Sequence, residues 1–250
     1  MELIILGHII GDFYVQTDKI AEKKKNSIKY MLLHCLIYTI VLGMGFYILN
    51  RGIAETIKIS CFIYLSHLTI DLIKRKCDKK LIKYEYMIFL IDQAIHIAVL
   101  FLIVYIAKQQ SYFQIDSNLI INGLNIKTCI IAASAILVCW KPTAIFVSLV
   151  FKMIPETIEQ ADETMKANEN IENEGVKIGS WIGILEREII LILGLMGQFS
   201  AIGFVLTAKS LARFRQLENK SFAEKYLVGT LLSAFIALVC VAIYRINSSN

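Results

Sequence analysis

The sequence predicts an all-α protein, a polytopic transmembrane helix bundle of about eight helices, with seven as the alternative. Hydrophobic residues make up 56% of the chain and the mean hydropathy is +0.60, whereas soluble domains are usually about 45–50% apolar. The apolar runs are long and show no alternation with period two, which argues against strands. Basic residues cluster in alternate connections between the runs, as they do in proteins with several crossings.

Eight apolar runs are predicted helices, and the first and seventh are shorter than the about 20 residues that usually cross a bilayer. In chain order they are roughly Glu2–Gln16, Ile28–Leu49, Ile53–Ile73, Tyr86–Ala107, Lys127–Phe151, Gly179–Met196, Ser200–Arg213 and Ala223–Tyr244. No basic residue precedes the first run, unlike in a secretory signal, so we expect it to be a retained helix. Pro142 falls inside the fifth run, where we expect a kink.

The charge of the connections predicts which side of the membrane each one faces. Lysines and arginines are concentrated after the first, third and seventh helices and are few in the alternate connections. Positively charged loops stay in the cytoplasm, so we expect these three connections to be cytoplasmic and the N-terminus to lie outside. The polar, acidic stretch from residue 152 to residue 178 is predicted to be a solvated cytoplasmic loop.

Composition also excludes several classes of protein. The net charge of +5 would suggest nucleic acid in a soluble protein, but here the basic residues flank apolar runs. We therefore expect membrane lipids as partners and no nucleic acid, with association into a homo-oligomer left open. The chain has no nucleotide-binding loop, no GxSxG and no HExxH, so an ATPase, a serine hydrolase and a zincin have no support. The cysteines form no CxxC and are predicted to be small buried residues.

The histidines carry the strongest chemical signal. All four fall in predicted helices, and three of them have an aspartate four residues away. Residues four apart share one face of a helix, and the predicted orientation puts all these groups in one layer of the inner leaflet. We therefore predict a metal site between the first four helices. Its predicted ligands are His8, Asp12, His34, His67, Asp71, Asp92 and His96.

Imidazoles and carboxylates together suit a divalent transition metal, zinc foremost, with manganese or iron as alternatives. Ionisable groups in a membrane are costly and usually face the bundle interior. The candidates exceed the four ligands of a zinc ion, so either two ions bind or some carboxylates orient the histidines instead of binding metal. A proton relay or a purely structural polar network is the other interpretation.

A family resemblance rests on the same residues. The run Gly7–Gln16, GHIIGDFYVQ, resembles the HxxGDFxxQ signature of a bacterial membrane family called domain of unknown function 3307. The resemblance covers residues 1–110, and parts of the later chain are similar to the long members of that family. The runs that carry it further are Leu33-His34, His67–Asp71, Asp92–His96, Leu185–Arg187, Ala208–Ser210 and Gly229–Ser233. The His/Asp pattern is also loosely similar to that of membrane-bound metal-dependent hydrolases, which implies by analogy a hydrolase in the bacterial cytoplasmic membrane.

The chain is accordingly expected to have four parts. Residues 1–110 form a four-helix transmembrane domain with the metal site, and residues 111–151 form an outer loop and the fifth helix. Residues 152–178 are the acidic cytoplasmic loop, and residues 179–250 are the C-terminal transmembrane helices.

Three basic residues in the later part are predicted to bind a lipid head group. Arg187 lies between two glutamates within an apolar run, and Lys209 and Arg213 share one helix face near the inner boundary. Such residues can hold a phosphate in the inner leaflet. The alternatives are a buried structural ion pair for Arg187 and an ordinary positive flank for the other two.

The preferred hypothesis is a metal-dependent hydrolase acting in the cytoplasmic leaflet on a lipid or lipid-linked ester or phosphoester. Asp12 or Asp92 would be its general base. A divalent-metal or proton transporter or channel is one alternative, and it predicts further polar residues toward the outer side of the bundle, where few are found. A non-catalytic membrane subunit or sensor with a structural metal is the other, and it predicts a closed metal shell.

Overall fold

The computed structural model describes residues 1–50, 52–81, 84–110, 120–121, 124–153 and 169–248. Within these ranges it is almost wholly helical, so the predicted all-α class is confirmed. The helices are α1 Glu2–Ile9, α2 Asp18–Lys23, α3 Ile28–Asn50, α4 Ile53–Lys80, α5 Glu85–Gln109, α6 Ile126–Phe151, α7 Glu169–Leu195, α8 Phe199–Ala212 and α9 Lys220–Ser248. Two strands of two residues each, β1 Ile120–Ile121 and β2 Leu124–Asn125, pair antiparallel before α6.

Five of the described helices, α3, α4, α5, α6 and α9, are long and apolar enough to cross a membrane. This agrees with a membrane protein. Helix α8 has 14 residues and α1 has 8 residues, which is short of the about 20 that a crossing takes. The predicted number of eight crossings therefore stays a prediction.

Two helices extend beyond the apolar runs that predicted them. Helix α4 continues to Lys80, past the expected end at Ile73, and α7 already begins at Glu169. Lysine, arginine and glutamate are good helix formers, and basic residues near a helix C-terminus interact favourably with its dipole. Hydropathy therefore located the apolar part of each helix but not its ends. Of the two predicted loops, residues 111–119 and 154–168 lie outside the described residues.

The first apolar run is not one uniform helix. After α1 the backbone forms a π-helical turn over Ile10–Tyr14, in which the amide of Val15 donates to the carbonyl of Ile10 at 2.9 Å. Thr17 then caps α2, because its hydroxyl oxygen accepts from the amide of Ile20. Single π turns inside α-helices are frequent at functional sites, and this one contains Asp12.

The chain divides into two compact units, Met1–Leu137 and Val138–Asn250. The first unit is built on helices α1, α3, α4 and α5, whose buried apolar side chains form its core. These are Ile4, Tyr38, Leu42, Phe46, Ile63, Leu100, Ile103 and Val104. Most of them lie away from the end of the bundle that holds the histidines.

Two glycines bring α1 close to α3. A Cβ atom on Gly11 would lie 3.0 Å from Cδ2 of Tyr38, and one on Gly7 would lie 3.1 Å from Cδ2 of Leu42. Small residues four apart allow helix backbones to approach closely in membranes. This packing carries the residues that follow each glycine, His8 in α1 and Asp12 in the π turn, against α3.

The predicted orientation can be tested by labelling single cysteines in intact cells, after replacing the native cysteines. We expect Lys25→Cys and Lys80→Cys to react with an impermeant maleimide only after the membrane is opened, since both lie in connections predicted to be cytoplasmic. Ser117→Cys, in the predicted outer loop, should react in closed cells. Reaction of Lys25→Cys in closed cells would overturn the orientation.

Candidate metal centre

The seven predicted ligands lie together in the first unit, near one end of α1, α3, α4 and α5. All four histidines, Asp71 and Asp92 are at most 4% exposed, and the side chain of Asp12 is 9% exposed. Ionisable groups within a membrane usually face the interior of a bundle in this way. The shared location that helix spacing predicted for these residues is therefore found.

The first group of possible ligands comprises Asp12, His34 and His67. Nε2 of His34 lies 3.1 Å from Nε2 of His67 and 3.2 Å from Oδ1 of Asp12. Bonds from zinc to such atoms are about 2.0–2.1 Å long, so two ligands of one tetrahedral ion lie about 3.3 Å apart. These two distances fit ligands of one metal ion, and the ligand atoms of all three residues lie within 4.8 Å of one another.

The second group comprises Asp71, Asp92 and His96, whose ligand atoms lie within 4.8 Å of one another. Nδ1 of His96 donates to the backbone carbonyl of Asp92 at 2.8 Å, which leaves the lone pair on Nε2. Metal-binding histidines usually donate their other ring nitrogen in this way. Nε2 of His96 and Oδ1 of Asp92 are buried and have no hydrogen-bond partner in the part of the chain that the structure describes, so a cation would give both atoms a partner.

His8 is engaged by protein groups on both ring nitrogens. Oε1 of Gln93 can only accept, so Nε2 of His8 donates to it, at 3.2 Å. Nδ1 of His8 then accepts from the hydroxyl of Tyr38, at 3.0 Å. In this arrangement His8 supports the centre through its neighbours, and its role as a metal ligand stays a prediction.

Asp12 contacts His34 on α3 and Gln93 on α5. It lies in the π turn, whose hydrogen bonds join residues five apart and change the angle between successive side chains. Oδ1 of Asp12 therefore faces His34, across the interface with α3. The other two pairs follow the α-helical expectation, with His67 and Asp71 3.9 Å apart and Asp92 and His96 3.5 Å apart.

Gln93 joins the two carboxylates that the sequence nominated as bases. Its Nε2 donates to Oδ2 of Asp12 and to Oδ2 of Asp92, at 3.0 Å in both cases. The Oδ1 atoms of these carboxylates are left for other contacts. The sequence indicates Gln93 only as part of the Asp92–His96 run of the family resemblance. Its spacing from the histidines and aspartates does not distinguish it from other residues.

Two lysines lie on the carboxylates at the more exposed edge of the centre. Nζ of Lys74 donates to Oδ2 of Asp92 at 2.6 Å, and Nζ of Lys24 donates to Oδ2 of Asp71 at 3.4 Å. Their side chains are 24% and 17% exposed, more than those of the aspartates. Sequence reasoning treated both lysines as loop charges, although Lys74 follows Asp71 by three residues and so shares its helix face.

Two further α3 side chains belong to the site. The ring of Tyr38 stacks on that of His67, with 3.8 Å between the centroids. Cys35 forms a third possible ligand group with His67 and Asp71, although it was expected to be an inert buried residue. Tyr38 follows His34 by four residues, so the same spacing that paired the other groups would have placed it here.

The donor atoms fit the metals that the sequence suggested. Imidazole nitrogens and carboxylate oxygens suit zinc, manganese or iron, and several buried atoms in the cluster have no hydrogen-bond partner among the described residues. Several overlapping groups of His, Asp and Cys residues in the first unit could thus hold a metal ion.

Arg187, a predicted head-group ligand in the second unit, is only 2% exposed. Its Nε donates to the carbonyl of Cys139 at 2.7 Å. Pro142 has no amide to donate to the carbonyl of Val138, and the hydroxyl of Thr143 donates to that carbonyl instead, at 2.7 Å. The partner of Arg187 here is a backbone carbonyl and not the carboxylate of an ion pair, and its binding of a lipid stays a prediction.

Lys209 and Arg213 have separate partners in the second unit. Nζ of Lys209 donates to Oε2 of Glu186 and, at 3.0 Å, to the hydroxyl of Thr230. The guanidinium of Arg213 lies 6.0 Å from the ring centroid of Phe222. A phosphate held by the two side chains together also stays a prediction.

Comparison with known proteins identifies a family for the first part of the chain. Residues 1–122 match the model of a family described as "Protein of unknown function (DUF3307)". This range contains every residue of the candidate metal centre. No curated protein and no solved structure matches the chain.

Proposed function

Through residues 1–122 this chain belongs to the DUF3307 family of unknown function, and we propose from its buried centre that it is a metal-dependent hydrolase. Its site lies in the cytoplasmic leaflet of a bacterial inner membrane. The substrate is a lipid or a lipid-linked ester or phosphoester. Zinc is the preferred ion, and manganese or iron has suitable ligands as well.

The observation that carries this proposal is the pairing of metal ligands with cations. Lys24 and Lys74 lie on Asp71 and Asp92, two members of one ligand group. A metal ion bound to these carboxylates would compete for the oxygens to which the ammonium groups now donate. The two partly exposed lysines would then be able to hold an anionic substrate group. A metal ion that only stabilises the fold does not require two lysines at the edge of its site.

A bound metal ion would polarise the ester and lower the pKa of attacking water. The chain's own residues supply the remaining steps. The carboxylate of Asp92 accepts a proton from water, through the oxygen that the metal ion would leave free, as the water oxygen bonds to phosphorus or to the acyl carbon. The ester bond breaks and its oxygen leaves as an alcohol, which takes up the proton. Gln93 keeps Asp92 in place through Oδ2.

The apolar core argues against the transporter alternative. Beyond the histidines the described interior of the first unit contains Leu42, Phe46, Ile63 and Leu100, each at most 2% exposed. A path for ions across a membrane needs polar groups or water along its length. The near-complete burial of the histidines does favour a second candidate, a metal that only stabilises the fold.

Hydrolysis by purified protein distinguishes the two candidates. We expect zinc-loaded protein to release phosphate or fatty acid from vesicles of mixed bacterial phospholipids, and Lys24→Met and Lys74→Met to lower the rate at least about tenfold. Both variants should retain the metal, because neither lysine is a ligand. Lys23→Met is the matched control, since Lys23 donates to Tyr30 at an exposed position outside the centre.

Metal binding without hydrolysis of any of these lipids would favour the structural candidate. Equal rates in the wild type and both lysine variants would remove the lysines from the proposal. A protein that binds no metal at all would contradict both candidates.

A further inference from the structure

We propose that the centre binds two metal ions and that the carboxylate of Asp71 bridges them. The inference rests on the metal site of the proposed function and goes beyond it in the number of ions and in the role of Asp71. The sequence left this open, since surplus carboxylates could equally have oriented the histidines.

Two of the three possible ligand groups have no residue in common. Asp12, His34 and His67 bring three ligand atoms within 4.8 Å of one another, and the group around His96 does the same without sharing a residue. A single ion with four ligands would leave part of this set without a cation. Three protein ligands and an open position are typical of a catalytic metal site, and the group of Asp71, Asp92 and His96 supplies such a set.

The position of Asp71 connects the groups. Asp71 is a member of the second group, and its Oδ2 lies 3.6 Å from Nε2 of His34 and 3.9 Å from Nε2 of His67 in the first. One carboxylate therefore reaches both sets of ligand atoms. In two-metal sites the ions are about 3.5–4 Å apart, a distance that the two oxygens of a shared carboxylate can span.

Unsatisfied buried atoms provide independent support for the second ion. Asp92 and His96 are 4% and 3% exposed. Each has a polar atom, Oδ1 and Nε2 respectively, without a hydrogen-bond partner within the described ranges of the chain. Buried polar atoms without a partner are costly. Metal in the first group alone would leave both of them unsatisfied.

Charge determines when the second ion binds. Three aspartates against Lys24 and Lys74 leave a small negative charge, which one divalent ion already exceeds. Two ions therefore require an anion as well, and the lysines at the edge of the centre are placed to share it. Inorganic phosphate, the simplest form of the anion expected in a phosphoester substrate, should favour occupancy of both positions.

Metal content of the purified full-length protein, measured with inorganic phosphate present, tests the proposal. We expect about two zinc ions per chain in the wild type, and about one in Asp12→Asn and in His96→Gln, which each remove a ligand from one group. Asp71→Asn should retain less than about one, because it weakens both positions. Lys23→Met, outside the centre, should retain the wild-type content.

Electron paramagnetic resonance of the manganese-loaded wild type gives a second measurement that needs no variant. Two bridged manganese ions give an exchange-coupled spectrum, whereas one isolated ion gives a simple six-line pattern. About one ion per chain with an uncoupled spectrum would overturn the bridge and leave the proposed hydrolase standing. No bound metal would overturn both.

Discussion

Asp92→Asn should abolish metal-dependent activity and also lower thermal stability, and adding Lys74→Met should restore the stability alone. Asparagine has nearly the shape of aspartate but no charge. In the wild type the Lys74 ammonium donates to Asp92 at 2.6 Å. The Asp92→Asn substitution leaves that ammonium beside a neutral amide at a largely buried position. The loss of stability therefore comes from the uncompensated lysine, whereas the loss of metal comes from the missing carboxylate ligand.

The size of the stability effect follows from the burial of the pair. Removing one partner of a fully buried ion pair costs about 3–5 kcal/mol. The side chain of Lys74 is 24% exposed and asparagine still accepts a hydrogen bond, so we expect about 1–3 kcal/mol. Replacing the lysine by methionine removes the uncompensated charge and keeps an unbranched side chain of similar length, which should recover most of this loss.

The measurement combines thermal unfolding with metal content and hydrolysis. Asp12→Asn is the matched control, because the contacts of Asp12 are to His34 and Gln93 and not to a lysine. It should lose metal at nearly unchanged stability. If Asp92→Asn kept its metal and activity, the carboxylate would be structural only. If Lys74→Met failed to restore stability to the double variant, the ion pair would not be the source of the loss.

Sequence reasoning identified the members of the centre because membrane burial and helix spacing act together. A histidine or aspartate within an apolar helix usually faces the bundle interior. The position of each residue along its helix was therefore enough to predict that the histidines and aspartates lie in one layer. The same logic placed the pairs on α4 and α5 correctly. Both depend only on regular α-helical geometry, which apolar segments of this length adopt.

What the sequence did not predict depends on contacts between helices. Gln93 and Tyr38 owe their roles to groups on other helices, and the sequence does not state which faces meet. The π turn over Ile10–Tyr14 is a local departure from regular helix geometry that the sequence pattern did not indicate. Lys24 and Lys74 were assigned to loops because their charge alone indicated the cytoplasmic side.

The later part of the chain shows the same limit. Arg187 was expected to meet a carboxylate or a lipid, since an isolated guanidinium in a membrane is costly. It donates instead to a backbone carbonyl beside Pro142, a partner that no pattern of charged residues could indicate. Proline disturbs the helix hydrogen bonds around it, so the proline itself was the available signal.

Gly11→Val should displace α1 from α3 and lower metal affinity at least about tenfold, although Gly11 is not a ligand. A Cβ at this position lies 3.0 Å from Tyr38 Cδ2 and 3.5 Å from its Cα. The Tyr38 ring has little room to move, because it stacks on the ring of His67 and its hydroxyl is hydrogen-bonded to His8. Overpacking of this kind costs about 1–3 kcal/mol, and Asp12 moves with the helix.

Gly203→Val is the matched control, because a Cβ on Gly203, within α8, would meet no described atom within 4 Å outside its own helix backbone. Metal titration and thermal unfolding of both variants should show a loss only for Gly11→Val. Combining Gly11→Val with Tyr38→Ala tests whether the loss of stability in Gly11→Val comes from a steric clash with the Tyr38 ring. If the clash is responsible, the double variant should lose less stability than the sum of the two single losses, because the ring that blocks the valine is gone. Additive losses, or wild-type affinity in Gly11→Val, would show that metal binding does not depend on the close approach of α1 to α3.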